Sequence, residues 1–199
     1  LCSSVYCCVW KCVMLKSFPT FTQTGRYSPL RYPGGKGKLA RFIKELVRAN
    51  GLSDGRYVEP YAGGAGVAWE LLLTGVVRRV SINDISLPVF AFWHSVLNST
   101  DELCRRIHDC PLNMDEWDKQ KSVFRRSDEL DYLNLGFSFF FLNRTNRSGI
   151  LNGGVIGGRD QSGKWKIDAR FNKDDLIHKI QKIASLRTRI ELTNLDAVN

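Results

Sequence analysis

The chain contains no run of 18 or more apolar residues, so no membrane span is expected. Acidic residues are in deficit, 20 against 29 Lys and Arg, for a formal net charge of +9. That balance is compatible with a polyanionic partner but does not require one. Cysteine is sparse once the first twelve residues are set aside: after Met14 only Cys104 and Cys110 remain. The N-terminal group Cys2, Cys7, Cys8 and Cys12 has no C-x-x-C pair followed by histidines, so no metal site is expected. Lys11 interrupts any secretory apolar stretch, and residues 1–13 are read as lying outside the folded domain. The remainder suits a reduced, cytoplasmic setting. Two phosphate-binding patterns are also missing. No G-x-G-x-x-G occurs, and Gly37-Lys38 is followed by Leu39 where a P-loop needs Ser or Thr.

The chain is 43% hydrophobic, enough for a packed core. The excess cations fall in two blocks. Arg26, Arg31, Lys36, Lys38, Arg41, Lys44 and Arg48 stand against Glu45; Arg144, Arg147, Arg159, Lys164, Lys166 and Arg170 stand against Asp160 and Asp168. Helical spacing of Leu39, Phe42, Ile43, Leu46 and Val47 predicts a helix over Leu39–Ala49. A short buried strand follows at Arg56–Pro60, then a turn at Gly63–Gly66 and a helix at Val67–Leu73. A second strand, Val80–Asn83, leads to a helix over Leu87–Ser99 that Pro88 enters at its first turn. This order opens a doubly wound parallel sheet. Residues 101–142 hold two or three helices, and residues 143–170 are too polar and broken for core. The α/β pattern resumes with a helix at Asp174–Ala184 and a third strand at Arg189–Leu192. The organisation expected is an irregular arm (1–27), an α/β part (28–100), an inserted, mostly helical subdomain (101–173) and a return to the sheet (174–199).

The chemistry concentrates in Tyr57-Val58-Glu59-Pro60-Tyr61-Ala62-Gly63-Gly64-Ala65-Gly66. Glycines let a ligand approach the backbone, and the helix beyond offers unpaired N–H groups. An acid at the strand end repels a pyrophosphate but suits a ligand bearing an amino group and a sulfonium, as S-adenosylmethionine (AdoMet) does. Asp84 ends the second strand, where nucleotide-type folds hold a ribose. Either acid alone is more often a helix cap.

Arg31–Lys36, Val58–Gly66 and Ile82–Ile85 occur in the order, and with the residue types, of a known family, and Phe141–Ile150 resembles its Leu-Asn-Arg block. Over about residues 28 to 199 the chain resembles the Dam-like (D12 class) adenine-specific DNA N6-methyltransferases. The resemblance implies a Rossmann-like class I AdoMet-dependent fold with a DNA-recognition insertion, and methyl transfer from AdoMet to adenine N6 in double-stranded DNA. It assigns Tyr32, Lys36, Glu59, Pro60, Tyr61, Gly63 and Asp84 to the cofactor. It assigns Asn143, Arg144 and Arg147 to the nucleic acid and matches Gly153–Arg170 to a hairpin that inserts toward the duplex. Within that segment Lys164 and Arg170 are nucleic-acid candidates because cations on a Gly-rich loop reach phosphates. Trp165 and Phe171 are candidates for stacking on bases or for a small satellite core. The family's catalytic Asp-Pro-Pro-Tyr does not occur: the prolines are Pro19, Pro29, Pro33, Pro60, Pro88 and Pro111, none adjacent. No catalytic residue is therefore assigned, and the chain is expected to be an incomplete, inactive fragment with an open sheet edge. Two rival readings stand beside this one: a non-enzymatic nucleic-acid-binding relative, and a methyltransferase acting on RNA or a small molecule.

Overall fold

The computed structural model describes residues 27–32, 35–126 and 131–198. The cysteine-rich start, most of the expected arm, Arg26, Pro33 and Gly34 lie outside the described residues. The elements run α1 (Ala40–Ala49), β1 (Arg56–Glu59), α2 (Gly66–Leu73), β2 (Arg79–Asn83), α3 (Leu87–Asn98), α4 (Thr100–Asp109), α5 (Met114–Arg125), α6 (Tyr132–Thr145), α7 (Lys173–Ala184) and β3 (Ile190–Thr193). A 3₁₀ turn over Lys36–Leu39 leads directly into α1. The expected helix start at Leu39 is thus the end of a tighter turn.

The three strands form one parallel sheet in the order β1-β2-β3. Val80 and Ile82 of β2 are buried on one face. The other face is polar: Arg56 pairs with Glu191 at 3.0 Å, and Ser81 donates to Glu191 at 2.7 Å. Arg56, Val58 and Glu191 are exposed. This corrects the reading of Arg56–Pro60 as a buried strand. Side chains alternate across a strand, and here only one set turns inward.

Residues 101–145 form three helices, α4 to α6. Asn113 caps α5, Asp131 caps α6 and Asn172 caps α7, each accepting from the backbone N–H three residues on. Helix α6 is buried nearly all round, and Gly136 explains how closely it lies on α3. A Cβ there would stand 2.7 Å from the Ala91 carbonyl oxygen. Phe92 stacks on Phe140 at 5.3 Å between centroids, and Phe171 meets both Phe140 and Phe141. Phe171 is therefore core, whereas Trp165 is 62% exposed. One continuous cluster of buried residues runs from Val80 and Ile82 through α3 and α6 to Val155, Ile167 and α7. Residues 143–170 are not too polar for core after all: Asn143, Thr145 and Asn146 are buried, and their side chains find partners inside.

Candidate functional site

The strand ends of β1 and β2 and the turn after β1 make one corner of the molecule. The turn requires unusual backbone: Gly63 sits at φ +49° and Ala65 at φ +47°. Gly63 is held at both polar atoms. Its N–H donates to Asp84 Oδ2 at 2.8 Å, and its carbonyl accepts from Trp93 Nε1 at 2.9 Å. The Tyr32 ring lies directly over this residue. A Cβ at Gly63 would come within 2.9 Å of the tip of the ring, so the backbone conformation favours glycine and any larger residue displaces Tyr32. Burial, and then the Asp84 carboxylate nearby, raise the Tyr32 phenol above its ordinary pKa.

Asp84 is nearly buried, yet its carboxylate is not saturated. Oδ2 accepts from Gly63 and Oδ1 from the Ser86 N–H at 3.0 Å. A carboxylate offers about four lone-pair sites, so acceptor capacity remains. Glu59 differs. It is 2% exposed; Oε2 accepts from the Ala68 N–H at 3.2 Å inside the first turn of α2, and Oε1 pairs with Lys36 Nζ at 3.0 Å. Burial raises its pKa, and the Lys36 ammonium pulls it back. Lys36 also donates to the Tyr61 carbonyl at 2.6 Å. The lysine thus ties the 3₁₀ turn to the chain between β1 and the glycine turn. Close passage of the two backbones is possible because Gly37 faces Gly66, where a Cβ would stand 3.3 Å from Gly37 Cα.

Lys36, Glu59, Gly63, Asp84 and Tyr32 are therefore brought together. Pro60 and Tyr61 join them through backbone carbonyls: Pro60 accepts from Asn83 Nδ2 at 3.0 Å, and the Tyr61 side chain is 58% exposed. Glu59 caps the first turn of α2, the commoner use of such an acid, and pairs with Lys36, whereas Asp84 holds the glycine turn and the residue before α3. Two supporting residues carried no sequence signal for their role. Asn83 joins all three strand ends, accepting from Thr193 Oγ1 at 2.7 Å and from the Leu195 N–H at 2.9 Å while donating to Pro60. Trp93 sits in an apolar helical run and looks like ordinary core.

The residues assigned to nucleic acid split into two groups. Arg147, Lys164 and Arg170 are exposed. Asn143 is 2% exposed, and its amide is occupied: Oδ1 accepts from the Arg31 N–H at 2.8 Å, and Nδ2 donates to the carbonyls of Arg31 at 2.7 Å and Gly149 at 3.1 Å. Arg144 directs its guanidinium at the carbonyls of Pro29 and Arg170. Burial, with Arg31 beside it, lowers its pKa to about 10. Asn143 is thus turned inward, and Arg144 is half-buried with its guanidinium on backbone carbonyls; both were expected at the DNA. Helix α6 extends to Thr145 and carries Asn143 into the core. Beyond them, the loop around Arg159 is pinned to α5 by a two-point ion pair of Arg159 with Asp118 at 3.0 and 2.9 Å. Among the described residues no helix is long and apolar enough to cross a membrane.

Comparison with known proteins bears on the same residues. A model of the D12 class N6 adenine-specific DNA methyltransferases matches residues 32–199. The Type II methyltransferase M.MjaIII of Methanocaldococcus jannaschii is 27% identical over 134 residues, covering 61% of this chain and 46% of that protein. The chain thus spans about half the length of that relative. The match runs from Tyr32, over the glycine turn, through the strand-end acid and the inward-facing Asn143, and the chain belongs to the D12 class N6 adenine-specific DNA methyltransferase family.

Proposed function

We propose that this chain holds AdoMet at the Tyr32–Gly63–Asp84 corner, and contacts duplex DNA through Arg147, Lys164 and Arg170, for methylation of adenine N6. One observation carries the cofactor reading: Asp84 ends β2 with spare acceptor capacity, directly beside a glycine turn roofed by an aromatic ring. AdoMet supplies a methyl group on a sulfonium. Asp84 accepts hydrogen bonds from the ribose hydroxyls. Gly63 and Gly64 let the Tyr32 segment lie against the turn, and the Tyr32 ring offers the cofactor a flat face beside Asp84. Lys36 and Glu59 act together, fixing the turn and leaving the pair close to neutral, so neither is assigned the methionine ammonium directly. Fixed geometry of this kind is the main means by which methyl transfer is accelerated.

On the DNA side, exposed cations bind phosphates and position the duplex. Methylation of a base in duplex requires it to leave the stack. No Asp-Pro-Pro-Tyr segment occurs in the 199 residues, and no residue here is given the role of holding the adenine amino group. The reading includes a Rossmann-like class I fold, with residues 101–173 as the recognition insertion and residues 174–199 returning to the sheet.

Calorimetric titration with AdoMet tests the reading. Binding weakened at least tenfold by Asp84→Ala is expected, since a ribose held through a nearly buried carboxylate loses charge-assisted bonds of about 1.5–3 kcal/mol each. Titration with duplex DNA should fall steeply with salt. Absence of AdoMet binding, with DNA binding indifferent to Asp84, would instead identify a nucleic-acid-binding relative without enzymatic function. Tighter binding of RNA than of duplex DNA would redirect the substrate.

A further inference from the structure

We propose that residues 28–32 form a strap coupling the cofactor turn to the Asn143–Gly149 corner, with Asn143 a positioning residue for cofactor binding that acts through Tyr32. The inference rests on the AdoMet reading above and adds to it a link between its two binding surfaces.

The strap is gripped from both sides. Toward the cofactor turn, the Tyr32 ring covers Gly63. A Cβ at Gly64 would meet Ser28 Oγ at 3.3 Å and Tyr32 Cβ at 3.4 Å. Leu30 is buried at 7% exposure and anchors the middle. Toward the other side, Asn143 clips both backbone polar groups of Arg31, the residue immediately before Tyr32. The Arg31 guanidinium donates to the Asn146 carbonyl at 3.0 Å, where α6 ends. Gly149, at φ +75°, completes the seat: a Cβ there would stand 2.4 Å from the Arg31 carbonyl oxygen. Asn143 and Gly149 are thus the residue types that receiving this segment demands.

This geometry gives Asn143 a function that its sequence context hides. Its amide is buried and matched to the two backbone polar groups of Arg31, a single residue from the ring over Gly63. Free of that clip, Tyr32 would occupy its place over the turn for only a fraction of the time. Apparent cofactor affinity falls to that fraction of its full value. The same corner carries exposed Arg147 four residues past Asn143. A duplex that orders the corner therefore orders the strap, and by linkage each ligand raises the affinity for the other by the same factor.

The test uses the full chain and a double-mutant cycle read by AdoMet calorimetry. Asn143→Ala is expected to weaken AdoMet binding by about fivefold or more. It should add nothing in a Tyr32→Ala background, because the ring through which it acts is gone. An effect of equal size in both backgrounds, or none in either, overturns the proposal. Should Asn143→Ala fail to fold, the wild-type chain still decides. AdoMet should slow amide hydrogen exchange across 28–32 and also across 143–150, and duplex DNA should tighten AdoMet. Protection confined to the glycine turn, with AdoMet affinity indifferent to DNA, overturns the strap and leaves the cofactor reading intact. No AdoMet binding by the wild type overturns both.

Discussion

The glycine-turn corner and the 143–170 region are both rich in polar side chains and glycine, and they use them in opposite ways. At the corner, partners are close in sequence: Asp84 holds Gly63, Glu59 holds Ala68, Lys36 holds Glu59. Asp84 keeps capacity for a ligand. In the second region the residues with the more suggestive chemistry, Asn143 and Arg144, are committed to backbone more than a hundred residues away or to their own loop. Exposed Arg147 and Lys164 make no side-chain contact of that kind. A polar residue in a binding motif is a ligand candidate only when its hydrogen-bonding capacity is not already satisfied.

The comparison can be broken most forcefully at Lys36. Lys36→Met leaves Glu59, at 2% exposure, as an unpaired buried carboxylate. Loss of a buried partner costs about 3–5 kcal/mol, and the open side of Lys36 brings the expected figure to about 2–3 kcal/mol in urea denaturation. The pH dependence has a definite sign. Burial already raises the Glu59 pKa above its ordinary 4.5, against the pull of Lys36. The folded state therefore binds this proton more tightly than the unfolded state. The associated stability is present below about 4.5 and is lost as pH rises through the folded pKa. Removing Lys36 pushes that pKa up further. The deficit of the variant should be larger at pH 8 than at pH 5, and an equal deficit at both would deny the pair its role.

Gly63→Ala has a smaller expected cost. A left-handed φ of +49° costs a β-carbon-bearing residue about 1–2 kcal/mol. The Tyr32 ring in its way is 47% exposed and is able to swing aside. Stability should therefore fall by about that amount and AdoMet affinity by much more, because the ring leaves the site. Loss of stability without loss of affinity would mean that Tyr32 is not part of the cradle.

Much of the corner was legible in the sequence because its determinants are local. Two strand ends, a glycine turn and an acid at each end lie within Arg56–Asp84, and the apolar spacing of α1, α2 and α3 announces the helices that carry them. The polar outer face of the sheet was less legible: four-residue strands offer too few alternations to separate one buried face from two. The structural roles of Asn143, Asn146 and Asn83 were not legible, although Asn143 itself stood out as a site candidate. Each pairs across about 110 residues or joins several backbone groups at once, and no local pattern distinguishes such an asparagine from a surface one. The steric need for Gly149 is similarly invisible until Arg31 is seen beside it.

The finest test of the contrast sets Arg147 against Asn143 in the same two measurements. Arg147 is exposed, so Arg147→Ala should change stability by less than about 0.5 kcal/mol. If its guanidinium meets a phosphate, the variant should weaken duplex binding for any sequence and lower the slope of log affinity against log salt by about 1. Asn143→Ala should do the reverse. It strips the Arg31 N–H and carbonyl of their partners, costing about 1–3 kcal/mol, while leaving the salt slope unchanged because no phosphate contact is removed. An Arg147→Ala variant with an unaltered slope would move the phosphate contacts to Lys164 and Arg170. A reduced slope for Asn143→Ala would mean that the corner it supports is itself part of the DNA surface, and that the line between the inward and outward halves of the block lies elsewhere.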